Sequence, residues 1–229
     1  MTAFFVTGTD TGVGKTRVSC ALLHALRREH ARVIGMKPVA AGTQWIDGQW
    51  ANEDVLALRA ASNIHVPALY DNPYLLNQAS SPHIAARSEG VDIDIEHIAA
   101  CFHALQQQAD AVVVEGAGGF IVPLCEATGH SGQSATSADL AVLLRLPVIL
   151  VVGVRLGCLN HALLTQEAIL ARGLTLAGWV ANRIDPSMLG AEANVETLRQ
   201  RLQAPLLADW GWAPGVESAD LDIRLPLSR

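Results

Sequence analysis

Short, almost uninterrupted runs of Val, Ile and Leu recur along the chain, each followed by a loop and then by apolar residues at helical spacing. A strand made from such a run has no polar face and must be buried on both sides, which suits a parallel sheet covered by helices. The pattern predicts strands over residues 4–7, 32–39, 111–115, 147–154, 176–182 and 205–208. Helices are predicted over 17–28, about 54–61, about 160–171 and about 191–202. The expected fold class is α/β: a three-layer, doubly wound, mostly parallel sheet with helices on both faces. The chain has 229 residues and neither an internal repeat nor a linker, so one domain over 1–229 is expected. Two stretches are less regular. Residues 40–73 hold loops around the 54–61 helix, and 127–137, rich in Thr, Gly and Ser, are expected to be exposed.

Right-handed crossovers place the C-terminal ends of parallel strands on one edge, where open α/β sheets bind ligands. The chemically distinctive residues fall there: the glycine loop after 4–7, Lys37, Glu115, the loop after Val154, and Asn182. The loop Gly8-Thr9-Asp10-Thr11-Gly12-Val13-Gly14-Lys15-Thr16 follows a strand and opens a helix. That is the context of a phosphate loop, whose backbone N–H groups and helix N-terminus face phosphate oxygens. Lys15 would reach the β- and γ-phosphates, and the Thr16 hydroxyl would ligate Mg²⁺. The strict motif spacing is missed by one, since the glycine partner of Gly14 is Gly8, six positions back. The fold expectation thus becomes a P-loop NTPase-like one. Partitioning and division-site ATPases carry an additional lysine at the start of this loop; Asp10 stands there instead and favours a metabolic enzyme over a dimerisation switch.

Glu115 ends the buried run Val112-Val113-Val114, where a carboxylate is costly unless it meets a cation. It would be a Mg²⁺ contact opposite Thr16; the bland alternative is a carboxylate paired with a structural lysine or arginine. Lys37, before Pro38 at a strand end, would neutralise charge developing during phosphoryl transfer, the alternative being a surface lysine. Asn182 would read a purine base, although asparagine often simply ends a strand. Asp54 is by itself a helix-start acid.

Composition narrows the partners. The net charge is −6 with no Lys/Arg-dense stretch, so nucleic acid and acidic membrane are not expected partners; Arg27, Arg28 and Arg32 read as a solvated helix end. The four cysteines form no close pair, the eight histidines have no metal-ligand spacing, and no basic leader opens the chain. The apolar run 146–154 is too short to span a bilayer. A cytoplasmic location with reduced thiols is expected.

Seven blocks together resemble the dethiobiotin synthetase family: FVTGTDTGVGKT (5–16), MKPVAAG (36–42), NPY (72–74), SPHIAA (81–86), VVVEGAGG (112–119), PVILVVGVRLGCLNHALLT (147–165) and LAGWVANR (176–183). They keep the family's order over most of the chain. The resemblance implies an ATP-dependent cyclo-ligase of biotin biosynthesis that turns 7,8-diaminononanoate and CO₂ into dethiobiotin, ADP and phosphate. Its route runs through a carbamate and a carbamic-phosphoric mixed anhydride. It implies phosphate binding by Gly12, Val13, Gly14, Lys15, Thr16 and Arg17, and Mg²⁺ held by Thr16, Asp54 and Glu115. Lys37 and Lys15 would be the catalytic residues. The nucleotide site would be lined by Glu115, Gly116, Ala117 and Gly118, with Asn182 and Arg183 near the adenine and Gly211, Trp212 and Ala213 closing over it. Substrate contacts would come from Thr11, Lys37, Ala41 and Thr43. In a homodimer, Leu156, Gly157, Cys158, Leu159 and Asn160 of one subunit would touch substrate held by the other.

The chain departs from the family in places. Ala41 stands where a serine is frequent, which passes that contact to Thr43; Gly211 replaces a frequent proline, Arg155 a frequent lysine, and the loop 125–137 is longer. Two other classes compete. A cobyrinate-type amidoligase needs a glutaminase domain, for which no residues remain. A nucleotide-switched ATPase of the partitioning type is disfavoured by Asp10.

Overall fold

The computed structural model describes residues 1–46, 48–126, 134–213 and 215–226. Strand β1 (Thr2–Gly8) leads through the glycine loop into α1 (Lys15–Leu26) and β2 (Val33–Met36). The chain continues through β3 (Val39–Ala41), a hairpin of β4 (Gln44–Ile46) and β5 (Gln49–Ala51), α2 (Glu53–Ala61), the single turn α3 (Ala68–Asp71), β6 (Tyr74–Leu76), α4 (Pro82–Glu89) and α5 (Ile95–Gln106). After β7 (Ala111–Glu115) come β8 (Pro123–Cys125), β9 (Ala135–Thr136), α6 (Ser137–Leu144) and β10 (Val148–Val154). The last elements are α7 (Cys158–Leu170), β11 (Leu176–Arg183), α8 (Ala191–Arg201) and β12 (Leu206–Trp210), with a 3₁₀ turn at Ser218–Asp220.

Among the described residues, six strands form the main sheet in the order β12-β11-β10-β1-β7-β2, and every neighbouring pair is parallel. From β1 the chain winds towards β2 and β7, then crosses to β10, β11 and β12. The C-terminal ends of β1 and β10 therefore border the switch point where loops diverge. Apolar side chains cover both faces. Val6, Val113, Val151 and Val180 pack with Val18, Leu22 and Leu26 of α1 and Leu58 of α2. On the opposite face Phe5, Val112, Val114, Leu150 and Trp179 pack with α5, α6, α7 and α8. The three-layer expectation is met.

Several local expectations change. Helix α1 starts at Lys15 rather than 17, because its N-cap is Gly14 in the left-handed region (φ 92°), so the end of the loop is the helix's first turn. The strand expected over 32–39 breaks at Lys37-Pro38: β2 leaves β7 after Met36, and β3 pairs instead with β6. Proline brings no N–H to a ladder, which makes it a natural point of departure. The last strand runs to Trp210, beyond the expected 208. Residues 127–133 of the stretch expected to be exposed lie outside the described residues. The end of that stretch is buried at Ala135 and Ser137, because Thr136 and Asp139 form a capping box that starts α6. Helix α5, capped by Asp94, and the β4–β5 hairpin were not anticipated.

Cys20 on α1 is buried, and burial pushes its thiol up to about 12, with the Glu115 and Asp54 carboxylates adding to the effect. Native protein at pH 8 should therefore leave Cys20 unlabelled by iodoacetamide, while denatured protein labels readily; peptide mass spectrometry reads both. The folded state keeps a proton that an ordinary thiol, at 9.0, releases. This group's contribution to stability is therefore present below pH 9 and declines as pH rises towards 12.

Candidate active site

The glycine loop is tied to β10. Thr9 donates its N–H to the Val151 carbonyl (2.9 Å), and the Gly153 N–H reaches the Thr9 hydroxyl at 3.4 Å. Gly8 is required by close approach rather than by φ, since a Cβ there would lie 2.6 Å from the Val13 side chain. That accounts for a glycine one place off the strict spacing. Inside the loop, Lys15 Nζ donates to the Asp10 carbonyl (3.1 Å). Burial, with the neighbouring Lys37 charge, lowers the Lys15 ammonium to about 8. Thr11 and Gly12 are exposed at the rim. The Asp10 carboxylate pairs with Arg155 of the loop after β10, within the same chain.

Four predicted residues converge where the loop meets the ends of β2 and β7. The Thr16 hydroxyl donates to Asp54 Oδ1 (2.6 Å) and to Glu115 Oε1 (2.9 Å). Lys37 Nζ lies 2.6 Å from Glu115 Oε1 and 3.1 Å from Asp54 Oδ2. Of the two readings of Glu115, the structure shows the pairing with a lysine, and that lysine is Lys37. Burial opposes the Lys37 charge, but the Glu115 and Asp54 carboxylates outweigh it and hold the ammonium above its usual value. For Asp54, burial acts upward, while Lys37 and the Thr16 hydroxyl pull harder and hold it below the usual carboxylate range. Glu115 is fully buried, and its Oε2 has no hydrogen-bond partner among the described residues. An orphaned buried carboxylate oxygen beside a threonine hydroxyl and a second carboxylate is a donor set that suits a hard, oxygen-loving cation.

Residues 116–119 line the loop's other flank. A Cβ at Gly118 would lie 3.5 Å from Thr11 Oγ1, and one at Gly119 would lie 3.6 Å from the Gly8 carbonyl. Asn182, buried near the end of β11, donates its amide to the Val13 carbonyl (2.8 Å), and its Oδ1 has no partner among the described residues. Arg183 is occupied elsewhere, forked onto Asp209 and bonded to Glu192. Arg17 turns towards the C-terminal segment: it donates to the Ala213 carbonyl (3.3 Å) and stands over the Trp210 ring at 5.7 Å. Gly211 and Trp212 are exposed beside it.

On the substrate side, Ala41 ends β3 and the Thr43 hydroxyl donates to Asn77 Oδ1 (3.0 Å). The intervening Gly42 carbonyl accepts from Asn52, which also caps the helix carrying Asp54. After β10, the N-cap Gly157 is exposed, and in the first turn of α7 Asn160 is exposed, Leu159 is half-buried and Cys158 is buried, with its N–H on the Arg155 carbonyl. Sequence reasoning gave no role to Asn52, Arg59, Asp71 or Asn72, all joined to this constellation. The signals available were an asparagine before two acids at 53 and 54, and the NPY block at 72–74.

A family model described as an AAA domain matches residues 2–219. The ATP-dependent dethiobiotin synthetase BioD of Aromatoleum aromaticum is 57% identical, over 98% of this chain and 97% of the relative. Among solved structures, a ParA family ATPase from Chlorobium tepidum has a TM-score of 0.55 and 13% identity, covering 93% of this chain and 85% of that one. The septum site-determining protein MinD of Pyrococcus horikoshii, complexed with Mg-ADP, has a TM-score of 0.55 and 17% identity, covering 93% and 82%. At those identities the two structures bear on the fold alone.

Proposed function

The chain belongs to the ATP-dependent dethiobiotin synthetase family, and from that premise we propose that it closes the cyclic urea of dethiobiotin from 7,8-diaminononanoate, CO₂ and ATP. The observation that carries the reading is the convergence of Thr16, Lys37, Asp54 and Glu115 on the phosphate loop. One amine adds to CO₂ and loses a proton, giving a carbamate. A carbamate oxygen attacks the γ-phosphorus and ADP leaves. The second amine attacks the carbonyl carbon of the mixed anhydride, and phosphate departs with the proton balance closed by solvent.

The roles follow from position. Gly12, Val13, Gly14, Lys15 and Thr16 present N–H groups and an ammonium to the phosphates. Lys37 supplies positive charge where negative charge develops on the transferring group. Thr16, Asp54 and Glu115 would hold Mg²⁺, whose charge on the phosphate oxygens lowers the cost of transfer. Glu115, Gly116, Ala117 and Gly118 line the nucleotide, Asn182 offers its free Oδ1 to the base, and Gly211, Trp212 and Ala213 cover it. Arg17 joins the phosphate contacts and is tied by its side chain to the cover at Ala213, and Arg183, bonded to Asp209 and Glu192, stands near the adenine. Thr11, Ala41 and Thr43 border the diamine. The working unit is a cytoplasmic homodimer of single ligase domains spanning 1–229, with Gly157, Cys158, Leu159 and Asn160 facing substrate held by the partner. Cys158 contributes through its backbone, since its side chain is buried. No helix among the described residues is long and apolar enough to cross a membrane. The partitioning-ATPase reading is weakened by Asp10, whose carboxylate is bonded to Arg155 of its own chain.

The test is phosphate release from Mg-ATP with and without the diamine and bicarbonate, with mass spectrometry for dethiobiotin. Diamine-dependent release with product formation supports the reading; hydrolysis indifferent to the diamine overturns it. A sharper test of the metal set is Asp54→Asn, which should raise the Mg²⁺ concentration for half-maximal turnover by roughly tenfold or more. An unchanged Mg²⁺ titration removes Asp54 from the set.

A further inference from the structure

Lys37 stands where the chain passes from one sheet to another. Up to Met36 the backbone pairs with β7, and from Val39 it pairs with β6. Between those ladders the lysine's own peptide groups are taken up by the last residue of α3 and the one after it. The Lys37 N–H donates to the Asp71 carbonyl (2.8 Å), and the Asn72 side-chain amide donates to the Lys37 carbonyl (2.7 Å). The same amide group also reaches the Tyr74 carbonyl (3.2 Å), and the Tyr74 N–H donates to the Pro38 carbonyl (3.1 Å). Asn72 is buried, so both its amide hydrogens are spent on holding backbone. The adjoining Asp71 carboxylate is gripped in a fork by Arg59 of α2 (2.6 and 2.7 Å), the helix whose first turn carries Asp54. One connected set of bonds thus fixes the lysine's main chain and the helix bearing one of its two carboxylate partners.

We propose that Asn72, braced by the Asp71–Arg59 pair, is a positioning residue for phosphoryl transfer that acts through Lys37 by setting where its main chain leaves the sheet. The inference rests on the reading of Lys37 as the charge-supplying lysine of the transfer. Lys37 reaches Glu115 through four rotatable bonds, so a shifted backbone displaces the ammonium directly. Displacements of about 1 Å at a reacting centre cost on the order of 10²-fold in rate. Nucleotide binding depends on the glycine loop, which Asn72 does not touch, so it should be spared.

The experiment compares wild type, Asn72→Ala, Asn72→Asp, Lys37→Met and the double variant Asn72→Ala/Lys37→Met. It measures dethiobiotin turnover, KM for ATP, and ADP affinity by calorimetry as a check on folded sites. Asn72→Ala should lose about 10- to 100-fold in kcat, with KM for ATP and ADP affinity within about twofold. Asn72→Asp, which turns an acceptor towards the Lys37 carbonyl, should lose more. In the Lys37→Met background Asn72→Ala should have no further effect, because the residue it positions is gone. Full kcat in Asn72→Ala, or a loss equally large with Met at position 37, overturns the inference. Failure of the underlying reading looks different: wild type then makes no dethiobiotin, or Lys37→Met alone keeps its turnover. If Asn72→Ala yields too few folded sites by ADP titration, Asn72→Ser, which keeps a shorter donor, gives the same comparison and should lie between wild type and Asn72→Asp.

Discussion

Lys37→Met should lower dethiobiotin turnover by about 10²- to 10³-fold while changing ATP affinity only a few-fold. A charged donor aimed at the charge that develops during transfer is worth that much, and it is worth little to a ground state already held by the glycine loop. Steady-state kcat and KM, with ADP calorimetry as the binding control, decide it; near wild-type turnover would remove Lys37 from the chemistry. The substitution has a second cost. Glu115 is fully buried and would lose its ion-pair partner, and breaking one side of a buried pair typically costs about 3–5 kcal/mol. The double change Lys37→Met/Glu115→Gln should recover most of that stability without recovering turnover. Thermal unfolding reads that recovery and isolates the lysine's part in the fold.

Gly14→Ala should weaken ATP binding by about 10²-fold. Gly14 has φ 92°, a region that costs a residue with a side chain roughly 1–2 kcal/mol. The larger obstacle is Asn182: a Cβ on residue 14 would lie 2.3 Å from its amide nitrogen. That amide cannot simply swing aside, because it is bonded to the Val13 carbonyl one residue earlier in the same loop. A single added methyl group therefore disturbs the glycine loop and the asparagine bonded to it together. Calorimetry with ATP measures the loss. Adding Asn182→Ala should restore part of it, because the clash goes while the backbone strain stays. Undiminished affinity in Gly14→Ala would mean that the loop is not the phosphate site.

The parts of the site that could be read from the chain are those encoded by one short segment at a time. Gly14, Lys15 and Thr16 close a glycine loop that follows a strand and opens a helix, a context that can be read locally. Glu115 stands out because a charge closes an apolar strand, and Lys37 because it precedes a proline at a strand end. That Glu115 and Lys37 should be partners was open, since 78 residues separate them and nothing local records a 2.6 Å contact. The sheet order was beyond reach for the same reason: β1 lies between β7 and β10, both distant in sequence. Helix α5 was missed although Ile98, Phe102 and Leu105 repeat at helical spacing behind a capping aspartate. The β4–β5 hairpin was missed because its strands have three residues each and Trp45 and Trp50 are exposed, a pattern that does not look like a buried strand. Asn72 was seen only as part of a family block, because its task, holding the carbonyl of residue 37, is a tertiary one.

That hairpin gives the protein an uneven optical character. Of the five tryptophans, Trp179 and Trp210 are buried, whereas Trp45, Trp50 and Trp212 are exposed. The two indoles of the hairpin meet edge to face at 5.6 Å, close enough to share excitation, and they sit between the strand ending at Ala41 and the helix bearing Asp54. A soluble quencher such as acrylamide would dim the hairpin pair and the Trp212 emission, leaving the interior glow. With Phe at positions 45 and 50, the quenchable light would come from Trp212 alone, and the segment that Arg17 holds at Ala213 would carry its own unlabelled lamp.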